Sequence, residues 1–350
     1  MRGAEEPQAV PSGLPPSRNL LRARDQPHPR RPGGGGEAAA HDGGRGLPRA
    51  GRDLHGGGRE LRSPPPGEAL KALAFLAQRF VAGEDSRAAV RAGERLHRKG
   101  IKATFDELGE DVLDREAARR AAQSSKELLR LIPPHLERNI SIKLSSMGQA
   151  ISREFCLELA SGILEVAREV GGFVRLDMEG SSLTQDTIEI FRELRKRYDN
   201  VGIVLQAYLH RTGDDVKEAV GRRDRVRLCK GAYKEPASIA WTDMEDIRKS
   251  FMACARLLLE KGNDPAIATH DEELVQGTLA CARDGKIPAS RYEFQMLYGL
   301  RPKRWEQLVA AGQNVRIYVP FGSHWFPYFY RRLRERKENV FFVVKSLIGG

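Results

Sequence analysis

What is scarce in this chain narrows its chemistry first. Cysteine occurs four times in 350 residues, at Cys156, Cys229, Cys254 and Cys281. No two form a CxxC pair and each lies in an apolar stretch, so buried thiols in a reducing compartment are expected, without a metal or redox role. No apolar run approaches the roughly 20 residues of a membrane span, and none reads as a signal peptide; the expectation is a cytoplasmic protein. There is no GxGxxG turn after an early strand, which argues against a doubly wound dinucleotide-binding sheet. HExxH, HxH and clustered-carboxylate patterns are absent, so no metal site is expected, and without a GxSxG elbow neither is a nucleophilic serine. Aromatic residues make up only 7% of the chain and are not interleaved with Lys/Arg runs. Despite a net charge of +11, nucleic-acid binding is therefore not expected.

Lysine is missing altogether from residues 1–66, which hold 13 Gly, 11 Pro and 11 Arg. Such a segment buries too little apolar surface to offset its ordering entropy and is expected to be disordered. The same arginine-without-lysine bias is what translation from a misassigned start in GC-rich DNA would produce.

Residues 67–350 read differently. Short apolar or β-branched runs recur at "IKATFDELG", "NISIKLSSMG", "FVRLDMEG", "VGIVLQAYL", "RVRLCKGAY", "AIATHD", "YEFQMLYG" and "VRIYVPFG", separated mostly by amphipathic stretches of helical length. Eight strands alternating with helices predict an α/β fold of the (β/α)8 type. Two helices, "GEALKALAFLAQRF" and "DSRAAVRAGERLHRKG", precede the first strand. The second opens on an Asp/Ser cap and puts Ala89, Val90, Ala92 and Leu96 near one stripe. Most strands end in polar or small residues, among them Lys143 with Ser145 and Ser146, Asp177 with Glu179, Gln206, Arg227 with Lys230, Thr269 with His270, Tyr298 and Tyr318. In barrels these ends build the active site.

Lys143 alternates with Ile142 and Leu144 and so faces the barrel interior, where an unpaired ammonium is costly. Asp177, on the next strand, is the expected partner; a structural ion pair and a substrate-ordering pair would look alike. After "RLCK", Gly231 and Ala232 let a flat ligand approach the backbone, with Arg227 and Lys230 supplying positive charge. That suits a flavin, whose ring gains negative charge on reduction, or a phosphate group. His270 fits a hydrogen-bonded structural role as well as a functional one.

In "YFYRRLRER" a helix would align Tyr328, Arg331, Arg332 and Glu335 on one face. The two guanidiniums can cradle a carboxylate, or the face can simply be solvated.

Taken together, "SIKLSSMG", "VRLDME", "GIVLQAYL", "RLCKGAY", "ATHD", "YEFQMLYG", "RIYVPFG" and "YFYRRLRE" resemble the proline dehydrogenases of the short monofunctional bacterial type, from about Phe80 to the end of the chain. The resemblance implies a distorted (β/α)8 barrel that binds FAD and oxidises L-proline to Δ1-pyrroline-5-carboxylate. It assigns Lys143, Arg331 and Arg332 to the substrate carboxylate, and Asp177 and Arg227 to catalysis. Met178, Gln206, Lys230, Gly231, Ala232, Thr269 and His270 match FAD contacts. Tyr233, Leu297, Tyr318 and Tyr328 match the walls around the proline ring, and Glu335 completes the helix motif. Electrons are expected to pass to membrane quinone during peripheral visits to the inner membrane, and product to a pyrroline-5-carboxylate dehydrogenase. Hydroxyproline or another cyclic amino acid is the alternative substrate. Cys229 stands where an aliphatic residue is common in the family.

Overall fold

The structure, a computed structural model, describes residues 79–334, with side chains to Tyr330. The segment expected to be disordered, nearly all of the first expected helix and Glu335 lie outside the described residues. Arg331 and Arg332 are described only as positions on a helix.

Eight parallel strands close a barrel in sequence order. They are β1 (Lys102–Glu107), β2 (Asn139–Ile142), β3 (Phe173–Leu176), β4 (Val201–Gln206), β5 (Arg225–Cys229), β6 (Ala266–Ala268), β7 (Glu293–Leu297) and β8 (Val315–Phe321). The last pairs with the first from Lys102 opposite Arg316 to Glu107 opposite Phe321. Every apolar run in the sequence that predicted a strand contains one, so the (β/α)8 expectation holds.

The helices are α1 (Ser86–His97), α2 (Arg115–Leu131), α3 (Arg153–Glu169), α4 (Ser181–Arg195), α5 (Thr212–Gly221), α6 (Met244–Lys261), α7 (Glu272–Asp284), α8 (Pro302–Ala310) and α9 (Trp325–Arg334). Several start where a short polar side chain satisfies a free backbone N–H. Asp85 accepts from Ala88 N at 2.7 Å, Asp114 from Ala117 N at 2.7 Å and Ser152 from Phe155 N at 3.2 Å. Proline opens α8, where its missing N–H costs nothing. The stripe read in α1 is buried as expected, with Gly93 added to it.

Alternation along each strand divides the interior in two. Phe105, Ile140, Ile142, Val174, Leu176, Val226, Leu228, Ile267, Phe294, Met296, Ile317 and Val319 belong to one apolar core shared with the helices. Their neighbours in sequence point the other way, into the lumen, and are largely polar: Thr104, Asp106, Ser141, Lys143, Arg175, Asp177, Arg227, Gln295 and Arg316 are all buried. The hydrophobic driving force therefore acts outside the sheet, between strands and helices. The lumen holds ion pairs instead.

At its amino-terminal end these join Arg316 to Glu293 at 2.9 Å and to Glu137 at 2.5 Å. At its carboxyl-terminal end they surround a cavity.

Candidate active site

The cavity measures about 580 Å³ and opens among the carboxyl ends of the strands and the loops that follow them. Met178, Val204, Ala268, Leu297 and Leu300 give it apolar walls, and Lys143, Asp177, Gln206, Arg227, Lys230, Thr269 and His270 give it polar ones. Of the seventeen site residues singled out in the sequence, the structure brings fourteen around this space. Gly231, Ala232, Tyr233, Tyr318 and Tyr328 complete that set. Arg331 and Arg332 lie on α9, the helix that also carries Tyr328.

Two ion pairs form the charged floor. Lys143 Nζ donates to both oxygens of Asp106, at 2.8 Å and 3.0 Å. Arg227 Nη1 donates to Asp177 Oδ1 at 2.8 Å, while its Nη2 reaches Ser141 Oγ at 3.1 Å. Tyr318 links the pairs: its hydroxyl donates to Asp177 Oδ2 at 2.8 Å and lies 3.4 Å from Lys143 Nζ. Arg227 belongs to β5 and Ser141 to β2, so this contact spans the lumen; the network closes the lumen beneath the cavity.

This corrects the expected pairing. The carboxylate that holds Lys143 is Asp106; Asp177 is held by Arg227 and Tyr318. Asp106 escaped the sequence reading, although "KATFDELG" places it on the same alternating face as Thr104; that alternation is the signal that could have found it.

Burial pushes the Asp106 carboxyl up to about 6, with Asp177 adding to the effect against the pull of Lys143. Burial works against the charge on Lys143, yet Asp106 and Asp177 together hold its ammonium above the usual lysine range. Burial also drives the Tyr318 hydroxyl well above the ordinary phenol range, helped by the same two carboxylates. It remains a proton donor at any physiological pH.

The loop after β5 shapes one wall. Gly231 has φ +119°, and a Cβ placed there would come within 2.2 Å of the Tyr208 ring. Only glycine allows the backbone to lie flat against that ring. Lys230 Nζ pairs with Asp271 at 3.1 Å. His270 Nε2 accepts from Leu297 N at 2.9 Å, so the imidazole ties the end of β6 to that of β7.

Two of the four cysteines depart from the expected burial. Cys156 and Cys254 are buried, whereas Cys229 and Cys281 are half-buried and all four are free thiols. Cys229 is a wall of the cavity, and burial raises its thiol to about 12, which keeps it protonated and unreactive.

A closed parallel barrel with paired charges, aromatic hydroxyls and cationic donors at the carboxyl ends of its strands defines a (β/α)8-barrel enzyme. A family model described as proline dehydrogenase matches residues 89–345. Proline dehydrogenase 1 of Bacillus subtilis subsp. natto is 40% identical over 273 residues, covering 78% of this chain and 90% of that protein. The proline dehydrogenase of Deinococcus radiodurans is 36% identical over 284 residues, covering 79% and 91%. Among solved structures, proline utilization A (PutA) from Bdellovibrio bacteriovorus, inactivated by N-propargylglycine, superposes with a TM-score of 0.71 at 28% identity. That match covers 77% of this chain but only 33% of the PutA chain. The chain belongs to the proline dehydrogenase family. It is an oxidoreductase of proline catabolism.

Proposed function

We propose that the protein oxidises L-proline to Δ1-pyrroline-5-carboxylate with bound FAD as the immediate electron acceptor, and that the electrons go on to a membrane quinone. The observation that carries this reading is the Asp106–Lys143 and Asp177–Arg227 floor, bridged by Tyr318, beneath a cavity with apolar walls. The residues fit a flavin on three counts. The space combines apolar walls with several convergent donors; Gly231 lets the backbone form one flat wall; and Arg227 Nε is a buried N–H without a partner among the described residues, a group whose burial costs free energy until an acceptor arrives.

Met178, Gln206, Lys230, Gly231, Ala232, Thr269 and His270 would hold the cofactor. FAD, when bound, supplies the acceptor for the hydride that leaves C5 of the proline ring. Positive charge at Arg227 and Lys230 favours the electron density that transfer deposits. Arg227 is itself kept in place by Asp177 and Ser141, so its charge is aimed before substrate enters.

Lys143, Arg331 and Arg332 would bind the substrate carboxylate, with Glu335 steadying the arginines and Tyr233, Leu297, Tyr318 and Tyr328 enclosing the ring. Fixing the carboxylate at one side orients C5 at the other, which replaces a bimolecular search by a positioned reaction. The ring nitrogen must be neutral for hydride loss. Departure of hydride leaves the protonated imine, which then gives up its N–H proton.

No helix among the described residues is long and apolar enough to cross a membrane, so quinone would be met by peripheral contact, and product passed on to a pyrroline-5-carboxylate dehydrogenase. The test is the visible spectrum of the purified protein before and after anaerobic L-proline. Flavin bands that bleach support the reading; a protein still colourless after FAD is supplied overturns it. Arg331→Met with Arg332→Met should weaken proline binding with flavin retained, and unchanged proline kinetics would refute the clamp.

A further inference from the structure

The assignment that follows rests on the reading of Lys143 as a ligand of the substrate carboxylate. We propose that Asp106, at the end of β1, is a positioning residue that keeps Lys143 charged and aimed into the cavity. Asp106 is 1% exposed and is not part of the cavity wall, so any effect it has on substrate passes through the groups it touches, chiefly Lys143 and secondarily the Tyr318 hydroxyl. Register sets up the contact: Asp106 lies opposite Ser141 on β2, and Lys143, two residues beyond Ser141, points to the same side. Both carboxylate oxygens are committed to one ammonium, at 2.8 and 3.0 Å. Tyr318 lies at a long 3.4 Å from Nζ, and an incoming carboxylate can take over that third donor without disturbing the other two.

The alternatives open to Lys143 without Asp106 are poor. Asp177 is already bound by Arg227 and Tyr318, each at 2.8 Å. A buried ammonium with no anion of its own either loses its proton or competes for Asp177. In the first case the substrate carboxylate loses its cation, and in the second the Asp177–Arg227 pair is broken. The charged and titratable groups around Lys143 are Asp106 from β1, Glu110 beyond it, Asp177 and Glu179 after β3, Arg227 from β5 and Tyr318 from β8. Asp106 is the one that engages Nζ with both oxygens.

The experiment compares Asp106→Asn with the native protein over a range of pH, taking the ratio of their KM values for L-proline so that titration of the substrate amine cancels. The ratio should be about tenfold near neutrality, exceed the fall in kcat, and grow as pH rises, because the unpaired lysine now titrates within the measured range. A merely structural role gives a ratio that is flat with pH. Asp106→Glu, which restores the anion one methylene away, should flatten the ratio and leave KM between those of the native and Asn proteins.

Lys143→Met separates the two readings. If it leaves KM unchanged, the carboxylate assignment fails and this one with it. If it raises KM while Asp106→Asn gives a native value or a pH-independent ratio, only the role of Asp106 is overturned. Combined with Lys143→Met, the Asp106→Asn substitution should add less than about twofold. Should Asp106→Asn show no cooperative melt, Asp106→Glu decides: a raised KM with a flat ratio supports the proposal, and a native KM overturns it.

Discussion

The hydroxyl of Tyr318, on the last strand of the barrel, lies 2.8 Å from Oδ2 of Asp177, which follows the third. Those strands are not neighbours, so the bond crosses the lumen and ties the two ion pairs of the floor into one network. Tyr318→Phe removes a hydrogen bond to a buried carboxylate, a loss of roughly 1.5–3 kcal/mol. We expect kcat/KM for L-proline to fall about 10- to 100-fold by steady-state kinetics, since about 1.4 kcal/mol is tenfold. Flavin content should stay native. Because burial keeps the phenol protonated, the loss should be equal at about pH 6.5 and 9, which a pH series checks.

Gly231→Ala should disable the wall proposed to hold the cofactor. The new methyl would need φ +119° and would meet Cδ1 of Tyr208 at 2.2 Å. That ring packs with Leu209, Ala240 and Ile247 and has little room to retreat. Strain of this kind costs about 1–3 kcal/mol. The expected result is a protein that melts several degrees lower and is purified with less than its full complement of flavin, measured by calorimetry and by absorbance ratio.

The barrel was legible because parallel strands covered on their outer face by helices read as short β-branched runs, and "GIVLQAYL" or "RIYVPFG" can hardly be anything else. Most of the site was legible for a related reason: alternation fixes which side chains enter the lumen. It does not fix which neighbour they reach. Lys143 has a carboxylate on each flanking strand's side, Asp106 and Asp177, and only the staggered register of β1 against β2 decides for the former. The buried arginines were hidden in the opposite way. Arg175 and Arg316 sit in strands where sequence alone reads a charge as a sign of exposure, yet both face the lumen and are nearly inaccessible. Nothing local in the sequence states that Arg316 will find Glu293 on the adjacent strand and Glu137 before β2.

That pair predicts the acid limit of the fold. Burial works to raise the Glu293 carboxyl, but the Arg316 guanidinium beside it holds it down at about 2, against 4.5 for an ordinary glutamate. A folded value below the unfolded one means the stabilisation is complete above pH 4.5 and disappears as pH falls towards 2. Its full size is on the order of 3 kcal/mol. Glu293→Gln should therefore melt lower than the native protein at about pH 7, and the gap should close between about pH 4.5 and 2.5 in thermal melts. A gap that stays constant over that range would show that the pair does not control acid stability.

The loop that carries Gly231, Ala232 and Tyr233 is anchored from outside the cavity by Glu235. The residue before helix α4 is Gly180, which has no side chain to cap it, and the carboxylate of Glu235 does so from a distance, accepting from Ser181 N at 2.7 Å and Ser181 Oγ at 2.6 Å. A negative charge also suits the positive end of the helix dipole. Glu235→Gln keeps the shape and removes the charge: its amide oxygen can still accept from Ser181 N while its NH2 donates to Ser181 Oγ, so what is lost is the negative charge at the helix N-terminus, about 1 kcal/mol. Since the residue touches neither substrate nor the charged floor, the proline KM should change less than about twofold, whereas release of flavin from a loosened loop should quicken about fivefold, as about 1 kcal/mol converts. Fluorescence recovery of free flavin after dilution measures that rate. An unaltered release rate would mean that the loop is held by its backbone contacts alone, Trp241 N to Tyr208 O at 2.7 Å and His210 N to Ile239 O at 3.0 Å.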